Sequence, residues 1–167
     1  MASGDTLCVL TPLHNEPPAA SYATLDTRNS RPCLDFDADA DEEAVFAGIM
    51  PQSYADTTGV TIHIWWGSTT DQTTGDVDWE FAFERVISET TDLDADSFAT
   101  AQALDADAPG TESFITHDTK AITKGANMDS VVAGDMFRLK VRRDADDGTN
   151  DDMTGDAELY AIEIRET

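Results

Sequence analysis

Positive charge, cysteine and long apolar runs are scarce in this sequence, and each shortage excludes something. Lys and Arg number 10 against 34 Asp and Glu in 167 residues, a net charge of −24. Affinity for phosphate backbones and anionic membrane surfaces needs clustered Lys and Arg, so neither nucleic acid nor membrane is expected as a partner. Only Cys8 and Cys33 are present. They form no CxxC and have no His at ligand spacing, which argues against zinc, and two reduced thiols are expected rather than a disulfide. No run approaches the roughly 18 apolar residues of a membrane span. The opening MASGDTLCVL lacks a basic segment followed by an apolar one, so a soluble chain without a secretory signal is expected. Catalytic signatures are missing too: there is no GxSxG, HExxH, P-loop glycine pattern or GxGxxG.

What is present is a period of two. In DVDWEFAFERVI, Val77, Trp79, Phe81 and Phe83 share one parity, and Asp76, Asp78, Glu80 and Glu84 the other. VTIHIWW sends Val60, Ile62, Ile64 and Trp66 one way and Thr61, His63 and Trp65 the other. MFRLKVRR places Phe137, Leu139 and Val141 inward with Arg138, Lys140 and Arg142 outward, and AELYAIEIRET alternates less cleanly. Weaker strand candidates are residues 6–10, 23–28, 32–36, 44–50 and 113–122, separated by Gly, Asp, Thr and Pro clusters. A thin apolar stripe over 94–106 predicts about two turns of helix. Roughly nine strands with one wet face each predict an all-β fold. The expected form is an antiparallel β-sandwich of jelly-roll type spanning residues 21–167. Residues 1–20 carry Pro12, Pro17 and Pro18 and no pattern, which predicts an extended N-terminal arm, loose or ordered against a neighbouring subunit.

The candidate functional residues are few. His63 shares a strand face with Trp65, a possible polar-aromatic platform for a glycan, or else a partly covered sheet face; Trp66 follows them. Arg138, Lys140 and Arg142 line one strand, either as cross-strand ion pairs with Glu158 and Glu163 or as a cationic stripe that docks a partner. Paired carboxylates for glycoside hydrolysis need a groove and a fixed separation that abundance alone does not supply. The stretch 144–156, RDADDGTNDDMTGDA with its preceding arginine, holds six aspartates between two period-two segments. Its glycine falls out of register for an EF-hand, so a solvated loop at one end of the sandwich is expected, with calcium in another geometry as the alternative. No cofactor is expected otherwise.

Several phrases together, YATLDTRNSRPCLDFD, DEEAVFAGIMPQSY, the HIWW strand and DMFRLKVRRDADDGTNDDMTGDAELYAIEIRET, resemble small virion proteins of tailed bacteriophages, particularly marine siphoviruses. The characterised ones of similar appearance are capsid decoration, or cement, proteins. The resemblance covers the chain from about residue 22 onward. It implies a non-enzymatic jelly-roll homotrimer assembled in the bacterial host cytoplasm. This would bind the major capsid protein on the exterior of the virion and stabilise contacts between capsid subunits. The resemblance assigns no residue; the candidate partner-binding residues, Pro12, Pro17, Pro18, Arg138, Lys140 and Arg142, come from the proline-rich arm and the cationic strand. A receptor- or glycan-binding tail-fibre or head-fibre module with the same sandwich is the alternative, and His63 and Trp65 would then form its platform. A carbohydrate-binding module or hydrolase from another context is the third reading.

Overall fold

Each alternating segment forms a strand, and the strands assemble into two antiparallel sheets. A computed structural model describes residues 3–167. The strands are β1 (Thr6–Leu10), β2 (Thr24–Arg28), β3 (Arg31–Phe36), β4 (Glu42–Ile49), β5 (Gly59–Ser68), β6 (Asp76–Val86), β7 (Gln102–Asp107), β8 (Thr116–Thr123), β9 (Met136–Arg143) and β10 (Ala157–Glu166). One sheet has the order β2-β3-β10-β5-β8, with β1 also paired to β10; the other is β4-β9-β6-β7. The partners β3 with β10, β4 with β9, β5 with β8 and β6 with β7 are those of one long hairpin rolled up, which is the jelly-roll winding.

The core lies between the sheets. Val60, Ile62, Ile64 and Trp66 from one sheet and Val77, Trp79, Phe81 and Phe83 from the other are fully buried. Trp66 and Trp79 meet edge to face across the interface at 5.8 Å, and Phe36 packs on Trp79 at 5.0 Å. Trp66 is therefore a core residue, and its indole donates a 2.8 Å hydrogen bond to Asp118 Oδ2.

Three local expectations are corrected. The 94–106 segment forms no helix: residues 102–107 are β7, and the stretch before it lies over the outer face of the second sheet. There Phe98 receives the charges of Arg138 and Lys140 at 5.0 and 4.9 Å from its ring centre. The described part of the N-terminal arm (residues 1 and 2 lie outside it) is bound to its own domain. Thr6–Leu10 pairs with β10, Pro12 is buried, and Asn15 and Tyr22 bridge to the β4 edge at Phe46 and Glu43. Backbone bonds from Glu16 to Val45 and from Ala23 to Glu43 complete the strap, which covers an edge that would otherwise present unpaired amides. The 144–156 loop joins no hairpin either, because β9 and β10 belong to different sheets.

That loop is also not simply solvated. Arg143 continues the inward parity of Phe137, Leu139 and Val141, and its guanidinium is fully buried. It forms a two-pronged bond with Asp151 at 2.8 and 2.9 Å and donates to the carbonyls of Met153 and Gly155 at 2.7 and 2.9 Å. The loop is wound round one desolvated cation.

Candidate functional site

The outer face of the six-stranded sheet carries the aromatic side chains that the parity rule sends outward. On β5 these are His63 and Trp65, and the register sets Trp65 opposite His117 of β8. The three rings lie within 25° of parallel, with centroids 4.5 Å (Trp65 to His117), 5.1 Å (His63 to His117) and 6.1 Å (His63 to Trp65) apart. His63 Nδ1 and His117 Nε2 are 3.0 Å apart. With the ring planes only 13° apart, that contact is an edge-to-edge hydrogen bond, so the two imidazoles form one flat dyad, and its His117 ring stacks on a face of the indole. The bond needs a donor and a lone pair, so it survives only while at least one ring is neutral. Burial, then the charges of Arg165 and His117, hold the pKa of His63 below its ordinary value, while Glu163 opposes them. Glu163 is held in turn by Arg165 at 2.7 Å and by the hydroxyl of Thr6.

A groove lies on the same face, over Gly67 two residues along β5 from Trp65, and it originates in an irregularity of β10. This strand pairs with β3 through Leu159 and with β1 from Ile162, and its register with β5 slips between Leu159 and Ala161. The bulge explains the unclean alternation of this segment: Ala157 and Leu159 are buried, then Ile162 and Ile164. It turns Tyr160 onto the outer face. Gly67 of β5 lies beneath; a Cβ there would meet the Phe114 carbonyl at 3.2 Å and the Tyr160 ring at 3.4 Å. The missing side chain lets the 113–115 loop cross β5 and bring Phe114 and Ile115, exposed by 63% and 49%, alongside Tyr160. The opposite wall is the β2–β3 hairpin, whose two-residue turn Asn29–Ser30 has positive φ at both positions (49° and 64°), the twist that closes tight hairpins. Two hollows of about 490 and 430 Å³ share Arg31, Ile115 and Tyr160, and the second is completed by Pro12 and Leu13. Arg28 donates to Glu158 at 2.5 Å and to the Ser68 carbonyl at 2.8 Å, and the Tyr160 hydroxyl donates to Glu158 at 3.1 Å. Burial beside Glu158 pushes the Tyr160 phenol up to about 12.

The remaining candidates are placed elsewhere. Arg138, Lys140 and Arg142 do line the outer face of the second sheet, but their partners come from β4 and β6 and the neighbouring loops. Arg138 binds Glu84 and Asp96, Lys140 binds Glu43, and Arg142 binds Asp41, Glu80 and Asp144, all within 3.0 Å. Glu158 and Glu163 lie on the other sheet. Pro12 borders the groove, whereas Pro17 and Pro18 lie on the strap beyond it. Asp144 and Asp146 of the aspartate-rich loop meet Asp41, with one oxygen of each within 4.8 Å of the others. Arg142 already supplies positive charge to two of the three, and burial holds Asp144 up to about 6 despite it. Reading the sequence for function missed His117, Tyr160, Phe114 and Arg31. His117 had a findable signal, since it sits on an alternating strand with the same outward parity as Thr119.

No protein-family model matches the chain, and no curated protein matches it. Similar solved structures include a family 35 carbohydrate-binding module from an environmental isolate, 13% identical over 98% of this chain and 87% of that one, with a TM-score of 0.47. Another is a carbohydrate-binding module dissected for specific mannan recognition, 7% identical over 99% of both chains, TM-score 0.42. A third, in complex with β-1,4-galactotriose, is 9% identical over 81% of this chain and 71% of that one, TM-score 0.36.

Proposed function

We propose that the protein is a non-catalytic glycan-binding module, and that the outer face of its six-stranded sheet is the binding surface. The observation that carries this reading is the ring cluster of Trp65, His117 and His63 on a solvent-facing sheet. A pyranose ring offers an apolar C–H face and a rim of hydroxyls. The first suits a flat aromatic surface and the second suits polar groups at its edge. The stack of half-buried Trp65 and exposed His117 supplies apolar ring surface, and the imidazole dyad supplies nitrogen atoms at its edge. The rings are set by a regular ladder on a rigid sheet, so the surface is formed before ligand arrives and little ordering entropy is lost on binding. A deep apolar core-like pocket would favour a different ligand class; this surface is shallow and open.

The test is a glycan array followed by calorimetry on the wild type and on Trp65→Ala. The reading expects binding to at least one neutral or charged oligosaccharide, weakened about tenfold or more by the substitution, which is about 1.4 kcal/mol. Binding unchanged in Trp65→Ala would move the site off this face.

The phrase-level resemblance supports a second reading, a decoration protein on the exterior of a phage capsid, bound to the major capsid protein as a homotrimer. Its test is co-sedimentation with assembled shells together with the oligomeric state from light scattering; a monomer that stays in the supernatant while the shells pellet would end it. The two readings are compatible, since a module on a particle surface can also hold glycan.

A further inference from the structure

We infer that the saccharide taken by this face is acidic, and that Arg31 in the groove beside Tyr160 reads its anionic group, a uronate carboxylate or a sulfate ester. The inference rests on the glycan-binding reading and sharpens its ligand class.

The chain holds 34 carboxylates for 10 Lys and Arg side chains. Eight of the ten basic residues have taken one, from Arg28 with Glu158 to Arg165 with Glu163. Among the described residues only Arg31 and Lys120 stand without a carboxylate partner. Lys120 lies on β8, outside both hollows, whereas Arg31 is exposed and lines both.

Its placement is unfavourable for the protein alone. Arg28 and Arg31 are directly opposed at the end of the β2–β3 hairpin, and like charges across a ladder repel. The charge of Arg28 is offset by its bond to Glu158, with Glu112 also near it; Arg31 has no such bond. An anion between the hairpin and the 112–115 loop would relieve that repulsion. A guanidinium meets a carboxylate or sulfate through two parallel N–H···O bonds, which gives direction as well as energy. Tyr160 and Phe114 border the same hollow and supply apolar surface for the sugar ring that carries the group. Glu112 is the one acidic residue lining this hollow, and it disfavours an anion at its own end, so the charged substituent belongs at the Arg31 end.

The experiment uses the whole chain and matched hexaoses of gluco, manno and galacto configuration. Each is offered in a neutral form, a C6-oxidised uronate form and a 6-O-sulfated form, with affinities measured by calorimetry at fixed ionic strength. The expected result is a preference of about tenfold or more for an acidic form over its neutral counterpart. That preference falls toward unity in Arg31→Ala and is partly kept in Arg31→Lys, which retains charge but lacks the fork. Circular dichroism and melting temperature establish that both variants are folded. The uronate and sulfate arms separate the two sources of negative charge, and a preference for either supports the inference. A neutral form bound as well as its acidic counterparts, or a preference untouched in Arg31→Ala, overturns the inference while leaving the glycan reading standing. Binding to none of the nine forms overturns the inference, and the glycan reading falls with it if the array is also blank.

Discussion

At the scale of single residues, environment reassigns side chains that look alike in sequence. Trp65 and Trp66 are neighbours, yet one lies on the wet face and the other is wholly buried with its N–H satisfied by Asp118. Arg142 and Arg143 divide in the same way. Arg142 spans three carboxylates on the surface, where each bond is screened and individually weak. Arg143 sits buried against Asp151, so removing its charge would leave that buried carboxylate with only the Asp78 N–H donating to it and the Met153 and Gly155 carbonyls without this donor. Arg143→Ala is expected to lower stability by about 3 kcal/mol or more, read from the urea midpoint. The double substitution Arg143→Met with Asp151→Leu should lose less, because it leaves no unpaired buried charge, only the Met153 and Gly155 carbonyls and the Asp78 N–H short of a partner.

Among the elements, β10 does the most to shape the proposed binding face. It touches β1, β3 and β5, and its bulge turns Tyr160 outward at the point where one neighbour ends and another begins. Gly67 is the complement of that bulge, since an unfilled position on β5 admits the loop carrying Phe114. Gly67→Val should displace this loop with about 1–3 kcal/mol of destabilisation, as overpacking usually does. Glycan affinity should fall with it while far-ultraviolet dichroism stays that of a β-protein; a variant that binds normally would show that Phe114 and Tyr160 lie outside the site. The parity of β10 was the hardest to read from sequence, and the bulge is the reason. Alternation before it and alternation after it are out of phase, so a single face assignment fails across the whole strand.

For the molecule as a whole, the acidic balance has a consequence for pH. Asp35, Asp78 and Asp144 are each held up to about 6, chiefly by burial and then by neighbouring carboxylates, although Arg142 pulls Asp144 the other way. Asp78 is 3% exposed and its Oδ1 has no partner. A folded-state pKa above the unfolded value means the native state binds the proton more tightly. The associated stability is present below about pH 4 and is lost as pH rises through about 6. His63 works in the opposite sense: its depressed pKa contributes stability that is present above about 6.5 and lost on acidification. Three carboxylates outweigh one imidazole, and protonation also relieves the self-repulsion of a −24 chain. The melting temperature is therefore expected to rise between pH 7 and pH 5, measured by calorimetry at constant salt. Asp78→Asn should raise it at pH 7 by a few degrees, about 1 kcal/mol, and flatten the slope. A melting temperature that falls steadily over this range would contradict the assignment of these groups.

The alternation of apolar and polar residues was enough to establish an all-β sandwich, its inward tryptophans and phenylalanines, and the outward direction of His63 and Trp65. That information is local: a strand places successive side chains on opposite faces whatever it pairs with. The arm, the ion pairs and the groove were not readable in the same way, because each depends on which strands become neighbours. The rolled hairpin puts β9 and β10 in different sheets, and so gives Arg138, Lys140 and Arg142 the carboxylates of β4 and β6 and their adjoining loops. It brings His117 beside Trp65 across 52 residues and Tyr160 beside Phe114 across 46. Contacts over such separations are properties of topology, and no period along the chain encodes them.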